Sequence, residues 1–393
     1  MKRRFLALGP AVVFTVLTAG CGPEPVTPHT TILIGATATA NEPAVDMHDD
    51  NLDVVRDAVG RGTVDVLGFV GSATDQPVVR QDVSVYYDER TKELETDSER
   101  LDTGYQKHMT PVREKMAASA GTQSQLDLLG LLGEMAHTNG PATMLVYSSG
   151  LQTTGLLDLR GWGSDLDVDA TVEGLPEDKL PDLTDKHVFF VGLGQVAGPQ
   201  QQLPPEMYSA VQELWLKVCR KAHGHCEPLV QRSSGGPPLS TVPVPVIPVP
   251  SHPTVTVFGD PATGQTVRIL LPNGVFFRKE SADFLPGADQ ALRGMTQYFR
   301  SDAASVARSA TAVGHTATSG PRDGAVELSK KRACRVVDAL AADGIDRSLF
   351  KVDGVGFDRP LSPDLDSAGR LIPEAAEKNR TVEVTVTRFR STR

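Results

Sequence analysis

The chain has 393 residues, a formal net charge of −10 at pH 7, 40% hydrophobic residues and 22% charged residues. This length is enough for two domains with separate hydrophobic cores, and the composition is that of an ordinary globular protein. The acidic balance, with no basic stripe interleaved with aromatic residues, excludes nucleic acid as a predicted partner.

The N-terminus has the pattern of an export signal. The basic sequence MKRR is followed by an apolar stretch, residues 5–20, that is too short to span a bilayer. The sequence LTAGC at residues 17–21 resembles the lipobox of bacterial lipoproteins, although Thr18 stands where that motif usually has Leu. The resemblance implies a signal peptide at residues 1–20, lipidation of Cys21, and a tether at residues 21–30. A cysteine that is simply buried is the alternative.

Residues 31–230 alternate strand-like and helix-like stretches, which predicts an α/β sandwich. The predicted strands are residues 31–36, 63–70, 83–87, 142–148 and 187–192. The predicted helices are residues 51–59, 122–137 and 204–221.

The helix at 122–137 leads into the sequence MLVYSSG at residues 144–150, and this order resembles a von Willebrand factor A domain. That family often binds a divalent ion through Asp-x-Ser-x-Ser after the first strand and a later Asp-Gly. The aligned residues here are Gly35, Thr37, Thr39 and Ser149. Because the acidic ligands that a hard cation needs are missing, no metal is predicted at this site. A generic doubly wound sheet is the alternative to this family.

Two other features of this domain are compatible with a catalytic site but are more simply explained as a turn and as solvated surface carboxylates. The sequence GLGQVAG at residues 192–198 follows a strand, but the Gln- and Pro-rich residues 199–205 delay the helix that a phosphate site requires, so a turn is favoured. Asp165, Asp167 and Asp169 alternate as on one face of an exposed strand, where solvated carboxylates are commoner than a cation site. We therefore predict no enzyme activity and no cofactor.

Cys219 and Cys226 flank a short loop, which predicts a disulfide in an oxidising compartment. His223 and His225 lie in the same loop and raise a metal alternative, which is disfavoured because four ligands so close in sequence cannot easily surround one tetrahedral ion. Cys334 has no obvious partner and is predicted to be a small buried thiol.

Residues 231–253 are a Pro-rich linker that contains GGPP and VPVPVIPVP. Alternating prolines favour an extended polyproline rod between two domains. The Val and Ile residues between the prolines favour a second interpretation, in which part of the segment lies along a domain surface. Residues 254–258 and 267–271 then predict a hairpin that begins the C-terminal domain, residues 254–393.

Residues 313–335 are the most specific stretch of the chain. A strand at 306–313, a Gly-Pro turn and a helix at 325–342 are predicted around it. It resembles the peptidoglycan-associating C-terminal domain of outer membrane protein A, whose pattern is Gly-His-Thr-Asp, a Gly turn, then Asn-x-x-Leu-Ser-x-x-Arg-Ala-x-x-Val. The matching residues are Gly314, His315, Thr316, Gly320, Leu328, Ser329, Arg332, Ala333 and Val336. The resemblance covers roughly residues 268–388 and implies a βαβαββ fold.

The resemblance also implies a peptidoglycan-binding site. In the family, a carboxylate binds the ammonium of a diaminopimelate-type stem peptide and an arginine binds its carboxylate through a bidentate contact. Arg332 stands at the arginine, but Ala317 replaces the family Asp and Ala325 replaces an Asn. Asp323 and Glu327 are candidate substitutes for the lost carboxylate. The predicted binding residues are Arg332, Thr316, His315, Ser329 and Arg380.

The sequence therefore predicts a lipid-anchored protein of the bacterial cell envelope, facing the periplasm or the extracytoplasmic side of either membrane. Its C-terminal domain is expected to bind peptidoglycan noncovalently and to tether it to the membrane, while the N-terminal domain interacts with an envelope protein. The alternative is a degenerate OmpA-like scaffold that acts only in protein–protein interaction.

Overall fold

The computed structural model describes residues 29–72, 76–161, 167–229, 236–249, 253–260, 264–278, 280–285, 287–300 and 305–390. The predicted signal peptide and Cys21 lie outside these ranges. Within them, no helix is both long enough and apolar enough to cross a membrane.

A six-stranded sheet forms the centre of the N-terminal domain. Its strands are β1 (His29–Ala36), β2 (Thr63–Val70), β3 (Val79–Val83) and, after a hairpin of β4 (Tyr86–Asp88) and β5 (Glu93–Leu94), β6 (Ala142–Tyr147), β7 (Lys186–Val191) and β8 (His225–Leu229). The strand order is β3-β2-β1-β6-β7-β8, and every pair is parallel except β2 with β3. This is the doubly wound order with an antiparallel edge strand, which confirms the predicted α/β class. The resemblance to a von Willebrand factor A domain stays a prediction.

Helices cover both faces of this sheet. They are α1 (Asp53–Val59), α2 (Ser98–Ala117), α3 (Leu128–Ala136), α4 (Val168–Gly174) and α5 (Pro205–Lys221). Because side chains alternate along a strand, Ile32 and Ile34 of β1 pack with α1 and α2, whereas Leu33 packs with α3 and α5 on the opposite face. Burial on both faces explains why the central strands have almost continuous apolar sequences.

Three predicted elements of this domain differ from the structure. The edge strand is Val79–Val83 rather than residues 83–87, because the chain turns into the β4–β5 hairpin. The helix predicted from residue 122 begins at Leu128, where the side chain of Asp127 accepts the N–H of Gly130 as an N-cap. Asp167 is likewise the N-cap of α4 and accepts the N–H of Ala170, so residues 167–169 are not the predicted exposed strand.

The predicted disulfide between Cys219 and Cys226 is present, with a Cα–Cα distance of 6.2 Å. It links the end of α5 to the edge strand β8. Cys334 is a free thiol and is only partly buried, not fully buried as predicted.

The described part of the Pro-rich segment lies along the N-terminal domain. The carboxamide of Gln200 accepts the Ile247 N–H at 2.7 Å and donates to the Ile247 carbonyl at 2.9 Å. Asn41 donates to the Pro245 carbonyl at 2.9 Å, and the side chains of Val244 and Ile247 are buried in the core. Residues 236–249 are thus held against the domain surface by backbone and apolar contacts, which is the second of the two sequence interpretations.

The C-terminal domain is a five-stranded sheet with helices packed on one face. Its strands are β9 (Thr254–Asp260), β10 (Gly264–Pro272), β11 (Ser305–Gly314), β12 (Phe350–Gly354) and β13 (Thr381–Arg390), in the order β12-β11-β13-β10-β9. Its helices are α6 (Asn273–Phe276), α7 (Ala288–Met295), α8 (Arg322–Ala342) and α9 (Pro373–Asn379). Val384 and Val386 of β13 pack with Ala333 and Val337 of α8 in one core. The predicted β9–β10 hairpin is present as an antiparallel pair.

Candidate functional site

A groove of about 590 Å³ lies beside the N-terminal half of α8, between the loop after β11 and residues 280–282. Two glycines shape it. A Cβ on Gly314 would lie only 1.9 Å from the Ser329 carbonyl, so glycine lets β11 approach α8 closely. Gly320 has a φ of 68°, which turns the chain from the loop into the helix. The two matched glycines therefore bring the loop and α8 together to form the groove.

Arg332 lines the groove from α8 and is nevertheless only 2% exposed. Its Nε donates to the Ser281 carbonyl at 2.9 Å, and its guanidinium lies 5.5 Å from the centre of the Phe277 ring. With the Asn273 amide oriented to satisfy its neighbours, its oxygen accepts from Arg332 Nη1 at 3.1 Å. These contacts orient the guanidinium before any ligand arrives.

Thr316 lines the same groove from the loop after β11. Its N–H donates to the Gly356 carbonyl at 2.9 Å, which fixes the backbone of the loop. Its hydroxyl is buried and has no hydrogen-bond partner among the described residues. A buried hydroxyl without a partner costs stability, and such atoms in native proteins call for an explanation.

The structure does not bring His315 to the groove. The side chain of His315 points to the other side of the loop, where Nδ1 lies 3.0 Å from the Arg359 carbonyl and Nε2 lies 3.6 Å from Glu383 Oε2. His315 is 4% exposed, so it is part of the domain interior.

Ser329 and Arg380 also lie away from the groove. The Ser329 hydroxyl accepts the Gly356 N–H at 3.0 Å, so it joins α8 to the turn after β12. Arg380 is 2% exposed and donates from Nη1 to Glu377 at 2.9 Å. Its Nη2 donates to the carbonyl of Gly161 in the N-terminal domain at 3.1 Å. Both residues were predicted to bind ligand. Ser329 instead positions α8, and Arg380 instead contacts the other domain, because a linear motif does not show which way a side chain points.

The carboxylates near the groove differ from those that the sequence suggests. Ala317 is 1% exposed and offers no polar atom in its side chain. Asp323 does not line the groove, whereas Glu327 lines it and pairs with Lys331 at 2.7 Å, and this contact lowers the pKa of Glu327. Glu280 also lines the groove and was missed, because it comes from the loop after α6 and has no place in the motif.

Glu383 lies near the start of β13, the central strand of the sheet, and has a strongly perturbed pKa. Two neighbours, the ring of His315 and the guanidinium of Arg268, lower the pKa of Glu383 to about 2 from 4.5. The Arg268 contact is a hydrogen bond of 2.7 Å, whereas the His315 ring nitrogen lies 3.6 Å away, which is longer than a hydrogen bond. The ionised form of Glu383 is therefore stabilised by folding.

Stability should depend on this carboxylate in a defined pH window. Because the folded pKa lies below the unfolded one, the stabilisation is complete above about pH 4.5 and is lost as the pH falls towards 2. Glu383→Gln should lower the free energy of unfolding by about 2–3 kcal/mol at pH 7 and by much less at pH 2.5. Urea unfolding at both pH values measures the difference, with the exposed Asp323→Asn as control. An equal loss at both pH values would contradict this assignment.

A second polar cluster lies at the carboxyl ends of β1 and β6 and is centred on Glu42, which is 3% exposed. Its Oε1 accepts from the Ser149 N–H (2.7 Å) and from the hydroxyls of Thr37 (2.7 Å), Ser149 (2.9 Å) and Ser148 (3.1 Å). Its Oε2 accepts from the Thr39 N–H (2.9 Å) and from the hydroxyls of Thr37 (2.8 Å) and Thr39 (2.9 Å). The resemblance to a von Willebrand factor A domain predicts Thr37, Thr39 and Ser149 at the position of that family's metal site, and in this structure they donate to a carboxylate.

The space beside Glu42 is small. The cavity lined by Glu42, Tyr147, Ser148 and Gln195 has a volume of about 20 Å³. That is room for about one water molecule. Ligands of doubly wound folds usually bind at this end of the sheet, and this cavity is too small for a substrate.

A cavity of about 360 Å³ lies at the junction of the two domains. Its apolar part includes Leu151, Met207 and Phe277, and its rim carries Asp169 and Glu213. Lys217 pairs with both of these acidic residues, at 2.5 and 2.6 Å, so part of the rim charge is neutralised.

Comparison with known proteins identifies the C-terminal domain. Residues 276–370 match the model of the OmpA family, so this segment is an OmpA-family domain. The probable lipoprotein YiaD of Escherichia coli K12 is 27% identical over 124 residues, which are 32% of this chain and 52% of that protein. The chain thus spans about half the length of this curated relative.

Two similar solved structures each cover about a third of the chain. The cell wall anchor of the T6SS from Pseudomonas aeruginosa has 22% identity and a TM-score of 0.27, over 35% of this chain and 88% of that one. The peptidoglycan-associated lipoprotein from Burkholderia pseudomallei has 21% identity and a TM-score of 0.23, over 28% of this chain and 87% of that one.

Proposed function

Because residues 276–370 form an OmpA-family domain, we propose that this chain is a cell-envelope protein that binds peptidoglycan noncovalently through the groove beside α8. The lipobox-like sequence that ends at Cys21 supports a lipid anchor, as does the similarity to a protein named as a probable lipoprotein. The function that follows is a tether between the membrane and the wall, without catalysis.

The observation that carries this proposal is the pairing of Arg332 with Thr316 in one groove. Arg332 is desolvated and already oriented, so a carboxylate of the stem peptide would meet it where charge-assisted hydrogen bonds are strong. The Thr316 hydroxyl is buried and lacks a partner among the described residues, and it would complete the contact once a small shift of the loop after β11 exposes it to the ligand. Glu280 and Glu327 line the groove and would receive an ammonium group of the same peptide.

A second candidate function is a scaffold for protein partners only. It is favoured by Ala317, because the family carboxylate that binds the ammonium group is replaced by a side chain that cannot accept a hydrogen bond. Glu327 and Glu280 sit on the exposed side of the groove, where a charge pair contributes only about 0–1 kcal/mol. In this case the groove would retain its shape without retaining useful affinity for peptidoglycan.

Cosedimentation of the purified chain with insoluble peptidoglycan tests the proposal. Thr316→Val should weaken binding by about tenfold or more, because a hydrogen bond to a charged ligand contributes about 1.5–3 kcal/mol. It should leave stability unchanged or raise it, since the replaced hydroxyl has no partner among the described residues. Arg332→Lys should also weaken binding, because lysine keeps the charge but not the bidentate geometry.

The control for Thr316→Val is Thr385→Val, the same change on the face of β13 opposite to its buried valines. It should sediment like the native chain. If the native chain does not sediment, or if all three variants sediment equally, the groove is not a peptidoglycan site and the scaffold function is favoured.

A further inference from the structure

Two histidines and a glutamate converge at the edge of the N-terminal sheet. His187 on β7 and His225 on β8 are paired in the register of these parallel strands. Glu227 follows His225 by two residues, so all three side chains project from the same face of the sheet. One donor atom of each residue lies within 4.8 Å of those of the other two.

The distances among these atoms suit a metal ion. Glu227 Oε1 lies 3.1 Å from His225 Nε2 and 3.4 Å from His187 Nε2. Ligand atoms placed about 2.0–2.1 Å from a tetrahedral ion lie about 3.3 Å from one another. His187 Nε2 is buried and makes no hydrogen bond among the described residues, even though Glu227 is close by. The His187 nitrogen can therefore coordinate an ion, and the second imidazole and the carboxylate lie close enough to coordinate the same ion.

The fold holds these ligands in place. Cys226 lies between His225 and Glu227 and points to the opposite face, where its disulfide with Cys219 fixes β8 to α5. The His187 ring packs on Phe189 with a centroid distance of 4.1 Å. Such support of the ligands by neighbouring groups improves metal affinity. The disulfide also removes both thiols as ligands, so this set differs from the Cys and His set that the loop sequence suggests.

We propose that His187, His225 and Glu227 bind a divalent first-row transition metal, specifically Zn²⁺, with an external ligand or water as the fourth ligand. Two imidazoles and one carboxylate suit Zn²⁺ better than Mg²⁺ or Ca²⁺, which take mostly oxygen ligands. The side chains of His225 and Glu227 are 70% and 51% exposed, so the ion can enter from the solvent side of these two ligands and reach the buried His187 Nε2 between them. The site is on a different domain from the peptidoglycan groove, so each proposal can fail without the other.

The test uses the full chain without an affinity tag, stripped of metal and kept free of reductant so that the disulfide stays closed. Calorimetric titration with Zn²⁺ should show one site per chain, and Co²⁺ should give the visible absorption of a tetrahedral complex. Zn²⁺ should also raise the melting temperature, because it binds the folded state, whereas Mg²⁺ should not. His187→Ala and His225→Ala should abolish all three signals, and Glu227→Gln should weaken Zn²⁺ binding.

His137→Ala is the matched control. His137 is also an exposed histidine beside a glutamate, with its Nδ1 3.9 Å from Glu134, but it belongs to no such group among the described residues. This variant should bind Zn²⁺ like the native chain. The proposal is overturned if the native chain takes up no Zn²⁺, or if His187→Ala and His225→Ala keep the same stoichiometry and affinity. Circular dichroism checks that each variant is folded.

Discussion

Glu42→Gln should lower the free energy of unfolding by about 3 kcal/mol or more, the largest stability effect that we expect from a single isosteric change in this protein. Each oxygen of the Glu42 carboxylate accepts one backbone N–H, from Ser149 at Oε1 and from Thr39 at Oε2. A glutamine must place its NH₂ group against one of these N–H groups, whichever way the amide is turned. The hydroxyls can rotate, but the two backbone donors cannot.

Urea unfolding of the native chain and Glu42→Gln measures this effect. The control is Glu177→Gln, which makes the same change at an exposed position and should alter stability by less than about 0.5 kcal/mol. Adding Mg²⁺ should not restore the variant or stabilise the native chain, because the hydroxyls that would bind the ion donate to Glu42. If Glu42→Gln leaves the free energy of unfolding unchanged, the two backbone hydrogen bonds do not stabilise the fold as argued; if Mg²⁺ stabilises the native chain, the cluster is a cation site.

The Glu42 cluster shows why part of the site could not be predicted from sequence. The resemblance to a von Willebrand factor A domain singles out Thr37, Thr39 and Ser149, and the lack of acidic residues at these positions is visible in the sequence. Glu42 follows Thr39 in a loop, where no periodic pattern predicts the direction of its side chain. Only the parallel pairing of β1 with β6 brings Ser149 to the same carboxylate. Contacts between residues so far apart in sequence depend on the register of the sheet, which the sequence alone does not show.

The longest helix missed by sequence analysis is α2, Ser98–Ala117. Its buried residues, Tyr105, Met109, Val112 and Met116, have helical spacing, and Asp97 caps its N-terminus. The rest of the helix is polar, so its apolar face is narrow, and it contains Pro111, a residue that usually interrupts helices. Both features argue against a helix when only the sequence is read. By contrast, β2 was predicted with its observed bounds because its apolar residues are nearly continuous.

In the C-terminal domain the motif located the groove but not the role of each matched residue. Arg332 and Thr316 line the groove, whereas Ser329 joins α8 to the turn after β12. Arg380 contacts the other domain through the Gly161 carbonyl. A sequence motif shows which residue types occur at each position of a family. It does not show the direction of the side chains, which decides whether a residue contacts ligand or stabilises the fold.

Ala317→Asp should raise the affinity for peptidoglycan by about tenfold or more, since it restores the carboxylate that the family uses against the ammonium group of the stem peptide. Position 317 is 1% exposed, so an unpaired charge there would cost several kcal/mol. Position 317 follows Thr316, which lines the groove together with Arg332. We therefore expect the ligand and the guanidinium of Arg332 to offset the cost of the buried charge. The variant should therefore lose some stability without ligand and regain it when peptidoglycan is added.

Ala317→Asn is the control for this change, because it has nearly the same shape without the charge and should not increase cosedimentation. Combining Ala317→Asp with Arg332→Lys measures whether the two positions act together, since residues that share one ligand give non-additive effects. If Ala317→Asp sediments and the native chain does not, the groove is an inactivated peptidoglycan site and the chain acts through protein partners. If both sediment and Ala317→Asp binds more tightly, the native chain is a peptidoglycan tether whose affinity is lowered by the loss of one carboxylate.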